Sequence, residues 1–302
     1  MKIRIMGGII IGIVLVLVAV AIIGGLYPGA SGARSQATVP QAKLPRPEHV
    51  VIVIEENKSY TQIIGSAAAP YINTLASQGA SLTNMHAETH PSEPDYLALF
   101  AGSTFGISSD ACPNTFADAN LASTLTQAGA SFAGYSESMP VTGYTGCFAP
   151  ANGGSSAALY ARKHNPWVNF TNVPASQNLS YSSFPTDYSK LPTISFVIPN
   201  QLNDMHSASI GRGDSWLKVH LDGYAQWAKT HNSLLIVTWD EDDGSKSNQI
   251  PTIFVGSVVK IGLYSPLLNH YSLLRTLEDM YGLPYLQQSA SVTPITGIWQ
   301  QR

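Results

Sequence analysis

The sequence predicts an α/β fold: a doubly wound, largely parallel sheet with helices on both faces. Three observations lead there. Short apolar, β-branched runs recur along the chain and alternate with helix-like segments. Two of these runs end in oxygen-bearing residues. Val50-Val51-Ile52-Val53-Ile54 leads into Glu55-Glu56-Asn57, and Leu234-Leu235-Ile236-Val237-Thr238-Trp239 leads into Asp240-Glu241-Asp242-Asp243-Gly244. The carboxyl ends of strands are where open α/β sheets build their sites. Finally, 302 residues suffice for one large domain with a well-buried core.

Taken in order, residues 1–27 read as a signal peptide or a membrane anchor. Lys2 and Arg4 precede an apolar run from Ile5 to Leu26. As a helix that run would reach about 33 Å, enough to cross a bilayer, while Ser31-Gly32-Ala33 offers a small-residue cleavage site. Either outcome means export: the protein is secreted, or membrane-anchored with its domain outside the cytoplasm. Residues 28–46, rich in Ala, Gly, Ser, Gln and Pro, read as a linker. The domain then occupies 47–302.

Within it, strands are expected at His49–Ile54, Ser81–Glu88, Ser131–Tyr135, Thr193–Ile198, Ser233–Thr238 and Pro251–Val255. Helices are expected at Pro70–Gln78 with Gly79 as its stop, Leu97–Ala101, Leu121–Gln127, Ser215–Lys229 and Tyr271–Tyr281. Residues 103–120 and 136–156 read as loops, and 165–190 as a long surface excursion. Only 12% of residues are charged and the net charge is -3. With no long basic stretch, a nucleic-acid partner is excluded. Cys112 and Cys147, the two cysteines of an exported chain, read as one disulfide.

Several residues could carry chemistry. Crowded carboxylates at Glu55-Glu56-Asn57 and Asp240-Glu241 suggest a neutralising cation; the plainer alternatives are an ordinary turn for the first and a solvated acidic loop for the second. An EF-hand is excluded, because Gly244 stands fifth from Asp240 and Pro251 occupies the twelfth position. Ser92, in Ser92-Glu93-Pro94-Asp95, is either a helix cap or a nucleophile whose oxygen is activated by a helix N-terminus and a metal. Asp204 and His206 follow another strand and can face one ion or one phosphate. Arg162-Lys163-His164 is the compact basic cluster, suited to a substrate anion or a solvated turn. His270 opens a helix and could be ligand, acid or cap. Arg212-Gly213-Asp214 matches an integrin-recognition tripeptide, but three residues are too few to support that reading.

Three sets of blocks, in this order, give the chain a family resemblance. The first is His49-Val50-Val51-Ile52-Val53-Ile54-Glu55-Glu56-Asn57. The second is Glu88-Thr89-His90-Pro91-Ser92-Glu93-Pro94-Asp95-Tyr96-Leu97-Ala98-Leu99-Phe100-Ala101-Gly102. The third comprises Tyr160–His164, Phe196–Asn200, Asp204–His206, Gly213–Leu217 and Thr238–Gly244. Together, over roughly 47–300, they resemble the bacterial phosphoesterase family of acid phosphatases and phospholipases C, within the alkaline phosphatase superfamily. The likeness is closest to secreted acid phosphatases that act on phosphatidylinositol 3-phosphate.

The resemblance implies a metal-dependent phosphatase for phosphate monoesters. Glu56, Asn57, Ser92, Asp240 and Glu241 would surround the metal. Ser92 would be the nucleophile, forming a phosphoserine. His90, His164, Asp204, His206 and His270 would hold phosphate or serve as acid and base groups, with Arg162 and Lys163 at the phosphate charge. Oxygen-rich ligation suits Ca²⁺ or Mg²⁺ better than Zn²⁺ and leaves the number of ions open. Two rivals stand beside this reading. One is a phospholipase C-type phosphodiesterase on the same fold. The other is a non-catalytic domain that binds Ca²⁺ and anionic lipid headgroups.

Overall fold

A computed structural model describes residues 44–150 and 157–300. The expected signal or anchor, its cleavage site and most of the linker lie outside the described residues. Among the described residues no helix is long and apolar enough to cross a membrane.

The strands are β1 (His49–Glu55), β2 (Ala80–His86), β3 (Phe132–Ser136), β4 (Phe148–Ala149), β5 (Tyr160–Ala161) and β6 (Asn178–Ser180). They continue with β7 (Ile194–Ile198), β8 (Ser233–Trp239), β9 (Gln249–Val255), β10 (Gly262–Tyr264) and β11 (Leu268–Asn269). The described α-helices are α1 (Tyr60–Ile63), α2 (Pro70–Gln78), α3 (Ser92–Ala101), α4 (Leu121–Gln127), α5 (Ile210–Ala228) and α6 (His270–Tyr281).

The nine-stranded sheet runs β10-β2-β9-β8-β1-β7-β3-β6, with β11 also on β2. Every pairing is parallel except those of β9, which runs against both β8 and β2. Parallel neighbours need crossovers, and helices supply them. Helix α2 packs with α5, and α3 with α6. The central strands are buried along their length: β1, β7 and β8 read as continuous apolar runs because both faces are covered. The fold is therefore the α/β class expected, and the sheet is largely parallel, with β9 its antiparallel strand.

Two expectations need correction. The stretch 165–190 is not a surface excursion throughout. Trp167 and Phe170 are buried, and Phe170 meets Phe100 while Trp167 packs edge-on against Phe132 and Phe196. Residues 178–180 then add the edge strand β6 beside β3. Short 3₁₀ turns bury these aromatic residues without any repeating period, so no periodicity could reveal them. The helix expected from Ser215 begins at Ile210, and Gly211 and Gly213, poor helix formers, concealed its first turns. Within it Asp214 is buried and receives the Tyr71 and Ile72 amides at 3.2 and 2.8 Å. That rules out Arg212-Gly213-Asp214 as an accessible recognition loop. Cys112 and Cys147 are disulfide-bonded.

Candidate active site

Register builds the site. Strand β1 lies between β7 and β8, and Glu55 pairs directly with Trp239. The residues that follow, Glu56-Asn57 and Asp240-Glu241, therefore emerge side by side at the carboxyl edge of the sheet. On the other flank β7 leads to Asp204, whose carbonyl accepts the Glu56 amide at 2.8 Å. Asn57 adopts a left-handed backbone conformation, φ 43°, uncommon for a non-glycine residue. From it the Asn57 amide reaches Asp240 Oδ1 at 3.2 Å, and Nδ2 reaches Glu241 Oε1 at 2.8 Å.

Ser92 enters at the first turn of α3. Pro91, not Ser92, occupies the N-cap position, and no side-chain cap is made. The hydroxyl instead faces Glu241 Oε1 at 2.9 Å and Glu56 Oε2 at 3.2 Å. Asp95, the other half of the capping-box pattern, accepts the Glu88 and Thr89 amides at 2.8 and 3.1 Å. The Glu93 amide is taken by Asp110 Oδ1 at 3.0 Å, so this N–H of the helix end is already engaged.

The histidines divide between two clusters. His164 is buried and stacked on Tyr96, with Nε2 3.0 Å from Glu56 Oε1 and Nδ1 3.7 Å from Asp204 Oδ2. His206 is exposed, its ring 5.9 Å from that of His164. His90 bridges Glu241, in close contact through Nδ1, and Asp242 at 3.3 Å. His270 lies apart from this group. Its Nδ1 is 2.8 Å from Glu88 Oε2 and its Nε2 is 2.9 Å from the Trp239 carbonyl. It therefore ties the loop before Ser92 to the strand end before Asp240, where a role on phosphate or as acid had been expected.

The basic trio also divides. Arg162 gives its hydrogen bonds to neutral groups: its guanidinium binds the carbonyls of Thr145, Asn114 and Val168 and Asn169 Oδ1. With its donors on these groups it braces the loops around the disulfide rather than offering charge to phosphate. Lys163 holds Asp110 at 2.7 Å and acts electrostatically on Glu56 and Asp240.

Sequence reasoning missed Tyr96, whose hydroxyl donates to Glu56 Oε1 and whose ring supports His164. The signal was present: Tyr96 is four residues after Ser92, hence on the same helix face. Glu88 and Asp95 were missed as partners of His270, and only tertiary folding joins them.

The electrostatics explain why a cation belongs here. Burial, then the charge of Asp204, pushes Glu56 up to about 8. Burial, then Glu56 and Glu241, holds Asp240 well above the carboxylate range. Asn57 Oδ1 and Asp240 Oδ2 are buried acceptors with no hydrogen-bond partner. An all-oxygen set of three carboxylates, an amide and a hydroxyl, with two acceptors unused, fits a hard divalent ion. Ligand atoms of Glu56, His164 and Asp204 also lie within 4.8 Å of one another, a group that could hold an ion. His164 is held well below the usual imidazole range by burial, then by Lys163 and His206. His206 is lowered to about 4, first by desolvation and then by Lys163 and Lys58. Both rings are thus neutral near pH 7 and able to accept a proton or a metal.

Comparison with known proteins places this geometry. Residues 66–284 match the Phosphoesterase family. The chain is 52% identical over 288 residues to a phosphatidylinositol-3-phosphatase of Mycobacterium tuberculosis, covering 93% of this chain and 94% of that one. It is 33% identical to an acid phosphatase of Aspergillus fumigatus, covering 73% of this chain but 52% of the fungal protein. Its fold resembles an alkaline phosphatase superfamily protein from Vibrio parahaemolyticus, with a TM-score of 0.54 at 12% identity, covering 84% of this chain and 71% of that one.

Proposed function

This chain belongs to the phosphoesterase family, and on that footing we propose an exported, metal-dependent phosphatase that hydrolyses phosphate monoesters through a phosphoserine on Ser92. Phosphatidylinositol 3-phosphate is the substrate we assign, following the mycobacterial relative. The observation that carries the reading is the Ser92 hydroxyl, buried, uncapped and directed at Glu241 and Glu56.

Glu56, Asn57, Ser92, Asp240 and Glu241 would hold the ion, with Ca²⁺ or Mg²⁺ favoured by their oxygen donors. A divalent ion there supplies Lewis-acid charge and lowers the pKa of the serine hydroxyl. Ser92 Oγ attacks phosphorus and the bond to the leaving alcohol breaks. The hydroxyl proton is directed at Glu241 Oε1, the nearer acceptor at 2.9 Å. Lys163 places positive charge beside the carboxylates, where phosphate charge would gather. His206 stands exposed beside His164. The charge of a bound phosphate would raise its pKa and let it protonate the leaving alcohol. Water then hydrolyses the phosphoserine. Export is supported by the apolar segment Ile5–Leu26 and by the disulfide.

The test is phosphate release from a monoester panel including phosphatidylinositol 3-phosphate, for wild type and Ser92→Ala, with chelator and with added Ca²⁺, Mg²⁺ or Zn²⁺. Turnover should vanish in the variant and on chelation, while thermal stability of the variant stays within about 1 kcal/mol. Undiminished activity in Ser92→Ala would sink the mechanism. Faster release from a diester than from its monoester would move the assignment to a phosphodiesterase.

A further inference from the structure

Asp110 meets the site at two points, through two different oxygens. Oδ1 accepts the amide of Glu93, the residue after Ser92, at 3.0 Å. Oδ2 accepts Nζ of Lys163, the residue before His164, at 2.7 Å. The loop that carries Asp110 is fixed against the segment that carries Lys163. Cys112, two residues on, is bonded to Cys147, and the Cys147 carbonyl accepts the Arg162 amide at 2.9 Å. The Arg162 guanidinium closes this bracket on the Asn114 and Thr145 carbonyls, each at 2.8 Å.

Lys163 stands between two pulls. Its side chain is 12% exposed, so salt and water screen its charge less than they would at the surface. It acts on Glu56 and Asp240, two of the residues placed around the divalent ion, and its neighbour His164 lies 3.0 Å from Glu56 Oε1. Yet among the described residues its ion pair is with Asp110. A lysine ammonium is a point charge on a flexible four-carbon stem and can swing between nearby anions. Opposite charges attract strongly where water is scarce. An ammonium that swung onto Glu56 and Asp240 would occupy the carboxylates that the ion needs.

We propose that Asp110 is a positioning residue: it holds the Lys163 ammonium off Glu56 and Asp240 and so keeps those carboxylates open to the divalent ion. This rests on the metal-site reading above. A simple helix cap would need Oδ1 alone. The bond from Oδ2 and the disulfide bracket behind it serve the lysine.

Asp110→Asn separates the two contacts. The Glu93 amide needs an acceptor, so the carboxamide oxygen stays on it and the carboxamide NH₂ turns to Lys163, which it cannot hold. Calorimetric titration of Ca²⁺ and of Mg²⁺ into the chelator-treated full chain is run on wild type, Asp110→Asn, Lys163→Met and the double variant. Asp110→Asn should weaken the dissociation constant about tenfold. In the Lys163→Met background the same change should have no effect, because no ammonium is left to swing. The Tm of metal-free Asp110→Asn should not fall, since the helix end keeps its acceptor and the freed lysine relieves crowded carboxylates.

Equal weakening with and without Lys163 would make Asp110 a cap or a distant charge and overturn the proposal. Unchanged affinity in Asp110→Asn would overturn it as well. Either result leaves the metal-site reading standing. A wild type that takes up neither ion would overturn that reading and the role of Asp110 with it.

Discussion

His270→Ala tests whether the clasp behind the site holds the two motif-bearing segments together. The ring is 1% exposed, and both nitrogens face acceptors, Glu88 Oε2 at 2.8 Å and the Trp239 carbonyl at 2.9 Å. Both nitrogens must therefore carry hydrogen, which makes the ring an imidazolium. Burial alone would lower its pKa, but Glu88 and Asp95 outweigh burial and hold it well above the imidazole range. Alanine leaves the Glu88 carboxylate, itself 8% exposed, without its cation, and a strand-end carbonyl without its donor. Removing one partner of a buried pair costs about 3–5 kcal/mol. The orphaned carbonyl would add about 1–3 kcal/mol. At the low end about 4 kcal/mol is lost, and at about 2–4 °C per kcal/mol for a domain of this size Tm should fall by about 8–16 °C.

The assay is thermal unfolding at fixed metal concentration, because bound metal shifts Tm by mass action. His270→Gln keeps one donor and should lose roughly half as much. At a temperature where both variants remain folded, kcat should also fall, since Ser92 and Glu241 sit on the two segments the ring joins. A Tm change under about 2 °C with unaltered kcat would refute the clasp.

Three further outcomes are expected. Glu278 is fully buried, accepts from Ser289 and the Leu286 amide, and is pushed up to about 7 by burial. Its folded pKa exceeds the unfolded value, so its contribution is present below about 4.5 and is lost as pH rises through about 7; Glu278→Gln should abolish that part of the decline in a pH series of Tm. Lys163→Met should raise KM for a monoester roughly tenfold, while a diester, with one charge fewer, should be affected less in parallel kinetics. A Cβ on Gly134 would fall 2.1 Å from Trp167 Cε2, so Gly134→Ala should destabilise by about 1–3 kcal/mol or more, read as a lower urea midpoint.

Much of this molecule was legible because its signals are local. The runs that became β1 and β8, Val50–Ile54 and Leu234–Trp239, are apolar on every residue but Thr238, as suits strands covered on both faces. Helices Pro70–Gln78 and Leu121–Gln127 have the bounds expected, since proline opens the first and Asn120 caps the second through the Ser123 amide. Strands β4, β10 and β11, two or three residues long, left no such trace, because a strand that short is defined by its partner. For the same reason Trp167 and Phe170 looked like surface residues until the sheet they cover was in view.

The site divides along the same line. The sequence by itself determined which residues could supply oxygen, imidazole and hydroxyl, and that these groups follow strands. Only the tertiary structure decided which atom faces which. The pairing of Glu55 with Trp239 sets Glu56 beside Asp240. The first turn of α3 aims Ser92 at Glu241 rather than at its own backbone. Adjacent residues of one basic run, Arg162, Lys163 and His164, went to three different tasks. Composition and spacing report what a side chain can do. Register and burial select its partners, and both are properties of contacts between segments far apart in the chain.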